Sequence, residues 1–156
     1  MPPLSNRTIS LFVFDFGSQY SQLIARRLRS LGVKARLVPH TYSLAKVRGA
    51  KGIILSGGPD SVYEKGAATI SKKILELGIP VLGICYGMQL MAHLMGGKVR
   101  HSVKKEYGPA VLKLAQKSRL FQGLPASFSV WMSHGDQAVR LPKGFVPTAL
   151  SANSSH

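Results

Sequence analysis

A chain of 156 residues with 45% apolar side chains can bury one ordinary core, which excludes a disordered chain, and its single cysteine excludes a disulfide scaffold or a cysteine-based zinc site. The formal net charge is +15, divided +8 over residues 1–78 and +7 over residues 79–156, with basic residues falling singly or in pairs such as Arg26–Arg27, Lys72–Lys73 and Lys104–Lys105. That scatter reads as a solvated basic surface and argues against a dedicated nucleic-acid patch, although scattered residues can converge in space.

Residues 1–8 read as an N-terminal tail, and Met1–Ser10 lacks the apolar segment of a signal peptide. No apolar stretch is long enough to cross a membrane, so no membrane partner is expected, and the setting is expected to be cytoplasmic. Ile9–Phe14 is a continuous apolar run, which suits a strand buried on both faces. Gln19–Leu31 carries Leu23, Ile24, Leu28 and Leu31 at helical spacing, and Gly32 stands where a helix stops. Val33–Val38 is a second strand, Leu44–Arg48 a short helix, and Gly52–Leu55 a third strand closed by Ser56-Gly57-Gly58-Pro59. Ala67–Leu77 has a helical pattern ended by Gly78, Pro80–Ile84 is a fourth strand, and Tyr86–Met95 is a helix closed by Gly96-Gly97.

Strand–helix alternation with short links predicts an α/β fold: a flavodoxin-like, mostly parallel sheet with helices on both faces and ligands beyond the carboxyl ends of its strands. After residue 97 the pattern changes to added antiparallel strands at Lys98–Val103, Ala110–Ala115, Ser127–Met132 and Phe145–Leu150.

Gly83-Ile84-Cys85-Tyr86-Gly87 lies between a buried strand and a helix, the context of a nucleophile elbow with Cys in place of Ser. Glycines at both flanks remove side chains that would clash in the tight turn. The following helix would present its N-terminal amides to the sulfur and lower the thiol pKa, and the Tyr86 N–H would be one oxyanion donor. The competing reading is that Cys85 is a small buried hydrophobe; the strand–turn–helix context favours the nucleophile. Ser56-Gly57-Gly58-Pro59 ends the third strand at the same carboxyl edge, where it could neighbour Cys85 and supply the Gly58 N–H as a second donor, or be an ordinary Gly-Pro turn. Trp131-Met132-Ser133-His134-Gly135-Asp136 reads as a polar binding loop after an apolar strand. His40, His93, His101, His134 and His156 are the candidate bases, and none completes a convincing set with Cys85. No metal site is expected.

Four segments occur in a telling order: Asp15-Phe16-Gly17-Ser18-Gln19-Tyr20, Leu55-Ser56-Gly57-Gly58-Pro59, Gly83-Ile84-Cys85-Tyr86-Gly87-Met88-Gln89 and Trp131-Met132-Ser133-His134-Gly135-Asp136. Over roughly residues 9–150 the chain resembles the glutamine amidotransferase domain of the GMP synthases, which is of class I, the triad type. The Cys-Tyr-Gly-Met-Gln elbow marks the superfamily, and the first and last segments are more particular to GMP synthases.

The resemblance implies that Cys85 attacks the side-chain amide of glutamine, with Gly58 and Tyr86 forming the oxyanion hole. It implies that Gly57, Gln89, Ser133, His134, Gly135 and Asp136 bind the substrate. The ammonia released would aminate XMP to GMP on an ATP-pyrophosphatase (synthetase) partner domain or subunit. No cofactor is expected in this chain, because ATP and Mg2+ would belong to that partner. The family's base and acid lie in a His-Pro-Glu motif that does not occur before His156, so residues 9–156 are expected to be an amidotransferase domain incomplete at its C-terminal end, and weak or inactive alone. The alternatives are the amidotransferase subunit of another class I enzyme, such as anthranilate synthase or carbamoyl-phosphate synthase, and a non-enzymatic basic binding module on the same scaffold.

Overall fold

The computed structural model describes residues 9–154, without the side chains of residues 103–106 and 134. The expected tail 1–8 and His156 lie outside the described residues. The chain forms two compact units, one ending at Met91 and one beginning at Ala92.

The first unit holds β1 (Leu11–Asp15), α1 (Ser21–Ser30), β2 (Ala35–Pro39), β3 (Gly52–Leu55), β4 (Val81–Gly83) and most of α2 (Tyr86–Leu94). Its four strands are parallel, in the order β2-β1-β3-β4. The chain thus leaves β1 toward β2 on one side and returns to β3 on the other. This is the strand order of a flavodoxin-like sheet, whose switch point lies between β1 and β3.

Continuous apolar runs form the central strands β1 and β3 because both faces are covered there. Val13 aligns with Leu37 on one side and Ile54 on the other, and this row packs with Ile24, Ala25 and Leu28 of α1 and with Ile84. Phe12 and Phe14 point to the opposite face, where both are buried and the Tyr42 ring lies 6.0 Å from that of Phe12. Each fully buried side chain of this size contributes about 1.5–3 kcal/mol. Helix α1 stops as its sequence predicts. Gly32 takes φ +77°, its N–H donates to the Arg29 carbonyl, and the Val33 N–H donates to the Leu28 carbonyl, which is a Schellman cap.

One expected helix is largely absent. Of Ala67–Leu77 only Lys72–Glu76 coils, as a 3-10 turn. The Ser71 side chain accepts the Lys73 N–H and starts the turn there. The Ala68 carbonyl is taken by the Tyr86 hydroxyl and not by a helical N–H.

The second unit is an antiparallel sheet of β5 (Lys98–Leu114), β6 (Ser127–Arg140) and β7 (Ala149–Leu150), in the order β6-β5-β7. The two strands expected at 98–103 and 110–115 are one, with a register shift between His101 and Glu106. Gly108-Pro109, between the two expected strands, sits inside β5, opposite Met132 and Trp131. Proline is tolerated there because β7 pairs with β5 only at Lys113 and Leu114, so Pro109 owes no N–H to that side. The expected strand 145–150 shrinks to Ala149–Leu150: Gly144 takes φ +88°, the Phe145 N–H turns back to the Pro142 carbonyl, and Pro147 has no N–H to give.

Among the described residues no helix is long and apolar enough to cross a membrane, and no cluster of His, Cys, Asp or Glu could hold a metal ion.

Candidate active site

The turn between β4 and α2 carries Cys85 in a backbone conformation that its residue type disfavours. Cys85 has φ +49°, the one positive value at a non-glycine residue among those described. An L side chain there costs about 1–2 kcal/mol and persists only where the surroundings impose it. They do so here at close range. A Cβ on Gly83 would come within 2.5 Å of the Met88 nitrogen, and one on Gly87 within 2.2 Å of the Leu55 oxygen. Hydrogen bonds complete the constraint. The Ile84 N–H donates to Leu55 at 2.9 Å, the Gly87 N–H to the Ser56 carbonyl at 3.0 Å, and the Gln89 N–H to the Cys85 carbonyl at 3.1 Å. Cys85 therefore precedes the first turn of α2 and is solvent-accessible.

The Ser56–Pro59 turn, at the carboxyl end of β3, lies against this elbow. A Cβ on Gly57 would stand 3.7 Å from that of Cys85, and one on Gly58 would collide with the Phe16 carbonyl at 2.7 Å and crowd the Tyr86 ring at 3.2 Å. Glycine is thus required at 58 by close approach. Among the described residues no acceptor is hydrogen bonded to the amide of Gly58 or of Tyr86. Two unengaged N–H groups on the loops that flank a strained cysteine suit a developing negative charge. Gln89, one turn further along α2, is buried.

The electrostatics of the thiol depart from the sequence expectation. Partial burial around the sulfur pushes the Cys85 thiol up from its ordinary value, and no charged side chain among the described residues offsets this. The lowering expected from the α2 N-terminus does not prevail. Burial likewise raises the Tyr86 phenol, aided by Asp60 and Glu64.

Two of the candidate histidines have other partners. His40 stacks on Phe16 at 5.8 Å, and Phe16 packs on Tyr86 at 5.5 Å. His101 Nδ1 lies 3.0 Å from Asp136 Oδ1, with His101 exposed and Asp136 buried. Sequence reasoning missed this pair because 35 residues separate its members and only the β5–β6 register joins them.

Gly57, Gly58, Cys85, Tyr86 and Gln89 thus belong to the first unit. Ser133–Asp136 belong to the second, and they form no loop: all four lie in β6, Ser133 opposite Tyr107 and Asp136 opposite His101. Backbone pairing with β5 overrides the poor strand propensity of Ser, Gly and Asp. The His134 side chain lies outside the described residues.

A family model described as "Glutamine amidotransferase class-I" matches residues 12–156. The chain belongs to the class-I glutamine amidotransferase family. It is 54% identical over 144 residues to a glutamine-hydrolysing GMP synthase of Bacillus cereus, covering 91% of this chain and 28% of that one. It is 52% identical over 156 residues to the GMP synthase of Thermomicrobium roseum, covering 99% and 30% respectively. This amidotransferase chain therefore spans less than a third of the length of those relatives. A Thermoplasma acidophilum protein assigned to the GMP synthases superposes with TM-score 0.83 at 31% identity, covering 94% of this chain and 74% of that one. A Thermotoga maritima glutamine amidotransferase shares the fold, with TM-score 0.71 at 19% identity, covering 94% and 69%.

Proposed function

We propose that this chain is the glutamine-hydrolysing part of a GMP synthase, with Cys85 as its nucleophile. The observation that carries the reading is the strained φ of +49° at Cys85, imposed by glycines that admit no side chain. The similarity to GMP synthases supports the choice of that enzyme over anthranilate synthase or carbamoyl-phosphate synthase.

The Cys85 thiolate attacks the amide carbon of the glutamine side chain. Negative charge gathers on the amide oxygen, within reach of the Gly58 and Tyr86 N–H groups. The amine leaves as ammonia once it takes up a proton, and a glutamyl thioester remains. Water attacks the thioester, glutamate departs, and the thiol is restored. Gln89, buried one turn along α2 from Cys85, helps to hold the α-amino and α-carboxylate end of the glutamine. The ammonia passes to a synthetase partner that uses ATP and Mg2+ to activate XMP.

The isolated chain is expected to turn glutamine over slowly. Burial disfavours the thiolate, and no described histidine is hydrogen bonded to Cys85. The test is labelling of the 156-residue chain with the glutamine-like electrophile diazo-oxo-norleucine, with the adduct mapped by peptide mass spectrometry. Modification at Cys85 that glutamine protects is expected. Its rate should climb with pH, with a midpoint above the ~8.5 of a free cysteine, because burial penalises the charged form. Absence of a Cys85 adduct in the folded chain would refute the reading.

A further inference from the structure

The Ser56–Pro59 turn is tied to the rest of its unit by a buried polar chain that the reaction above does not use. Ser56 and Ser21 are both fully buried. Ser21 Oγ lies 2.7 Å from Asp15 Oδ1 and 2.9 Å from Ser56 Oγ. Ser56 Oγ accepts the Phe16 N–H at 3.3 Å and stands 3.0 Å from the Gly57 carbonyl oxygen. The Asp15 carboxylate also accepts the Gly17 N–H at 2.9 Å. The Ser56 backbone is held at both ends, since its N–H donates to Phe14 and its carbonyl accepts from Gly87 of the elbow.

The Gly57 carbonyl and the Gly58 N–H belong to one peptide plane. In a trans peptide these two groups point in opposite directions, and no described peptide bond is cis. Gly57 and Gly58 have no Cβ, so side-chain sterics do little to fix the rotation of the plane between them. A hydroxyl that donates to the Gly57 oxygen therefore sets the direction of the Gly58 N–H.

We infer that Ser56 is a positioning residue. Its hydroxyl, held in place by Ser21 and Asp15, pins the Gly57 carbonyl and so aims the Gly58 N–H as an oxyanion donor. The role rests on the glutamine reading above. Asp15 and Ser21 act through Ser56 and need no contact with substrate. Two hydroxyl protons serve three acceptors here, namely Asp15 Oδ1, the neighbouring serine oxygen and the Gly57 oxygen. Removing either hydroxyl redistributes the remaining proton and loosens the peptide plane.

The test compares the wild-type 156-residue chain with Ser56→Ala and Ser21→Ala by two readouts. The first is amide hydrogen exchange in peptides covering residues 55–60, with residues 11–14 of β1 as the internal control. The second is the rate of Cys85 modification by a glutamine chloroketone, whose addition places charge on a carbonyl oxygen, against that by iodoacetamide, which does not. Ser56→Ala is expected to speed exchange in 55–60 alone. It should slow chloroketone labelling about tenfold or more, short of the ~100–1,000-fold cost of deleting a donor outright, and leave iodoacetamide labelling unchanged. Ser21→Ala should give a smaller loss of the same kind, and it carries the test should Ser56→Ala not fold. Unchanged exchange in 55–60 overturns the clamp. Equal losses with both reagents, or faster exchange with unchanged chloroketone labelling, overturn the positioning role. A wild-type chain that resists chloroketone while exchange responds to the variants refutes the glutamine reading itself, and the oxyanion role with it.

Discussion

In β3 every residue from Gly52 to Leu55 is buried, whereas in β6 the residues from Ser127 to Ser133 alternate between exposed and half-buried. β5 alternates in the same way from Tyr107 to Leu114. The central strands β1 and β3 of the first unit's parallel sheet are covered on both faces, so they tolerate little but apolar side chains. The antiparallel ribbon of the second unit leaves one face open, carrying Tyr107, Val111 and Trp131. A backbone packed on both faces can hold a residue in an unfavourable conformation, because its neighbours have nowhere to move. The Cys85 elbow packs on the end of such a strand, β3: the Ile84 N–H donates to Leu55, and a Cβ on Gly87 would meet the Leu55 oxygen. In the ribbon, by contrast, Gly108 takes φ +103° with nothing within 4 Å of where its Cβ would lie.

The sharpest way to break this comparison is to empty the first unit's core. Phe14→Ala removes a side chain with no exposed surface from the central strand. A loss of about 3–5 kcal/mol is expected in urea unfolding, the usual cost of deleting a buried aromatic ring. That is a large share of the ~5–15 kcal/mol that holds a domain together. A loss below about 1 kcal/mol would mean that the parallel sheet is not the rigid frame of the elbow.

A smaller effect, of opposite sign, is expected at the elbow itself. Cys85→Gly should raise stability by about 1 kcal/mol, because glycine adopts φ +49° without the penalty an L side chain incurs. It should abolish labelling by any thiol reagent, since the chain has one cysteine. The measurement is the urea midpoint beside that of the wild type. A destabilised Cys85→Gly would show that Cys85 is held by favourable packing and not against its conformational preference.

The same contrast explains how much could be read from the residues. Phe12, Val13 and Phe14, or Ile53, Ile54 and Leu55, announce buried strands by themselves, and Leu23, Ile24 and Leu28 announce α1. The elbow was legible because its two glycines and its place between strand and helix are local. Long-range backbone pairing is not local. Nothing near Gly108-Pro109 or Ser133-His134-Gly135-Asp136 says that these residues pair across β5 and β6, and composition there argues for turns. Ala67–Ser71 misled in the same way, because its helical pattern says nothing of the Tyr86 hydroxyl that takes the Ala68 carbonyl. The raised thiol pKa was hidden too: helix position is visible in a sequence, and desolvation is not.

The smallest effect is expected on the open face of the ribbon. Trp131 is 76% exposed and stands opposite Pro109, which is exposed as well. Trp131→Ala should therefore change the urea midpoint by no more than about 0.5 kcal/mol, the range of a surface substitution that breaks no buried contact. It is the one tryptophan of the chain, so the wild-type emission reports this position alone. Emission typical of solvated indole, with ready quenching by iodide, is expected in the folded chain. A blue-shifted, unquenched Trp131, or a loss near that of Phe14→Ala, would mean that the ribbon buries this face in solution. The contrast between a sheet covered on both sides and a ribbon covered on one would then fail.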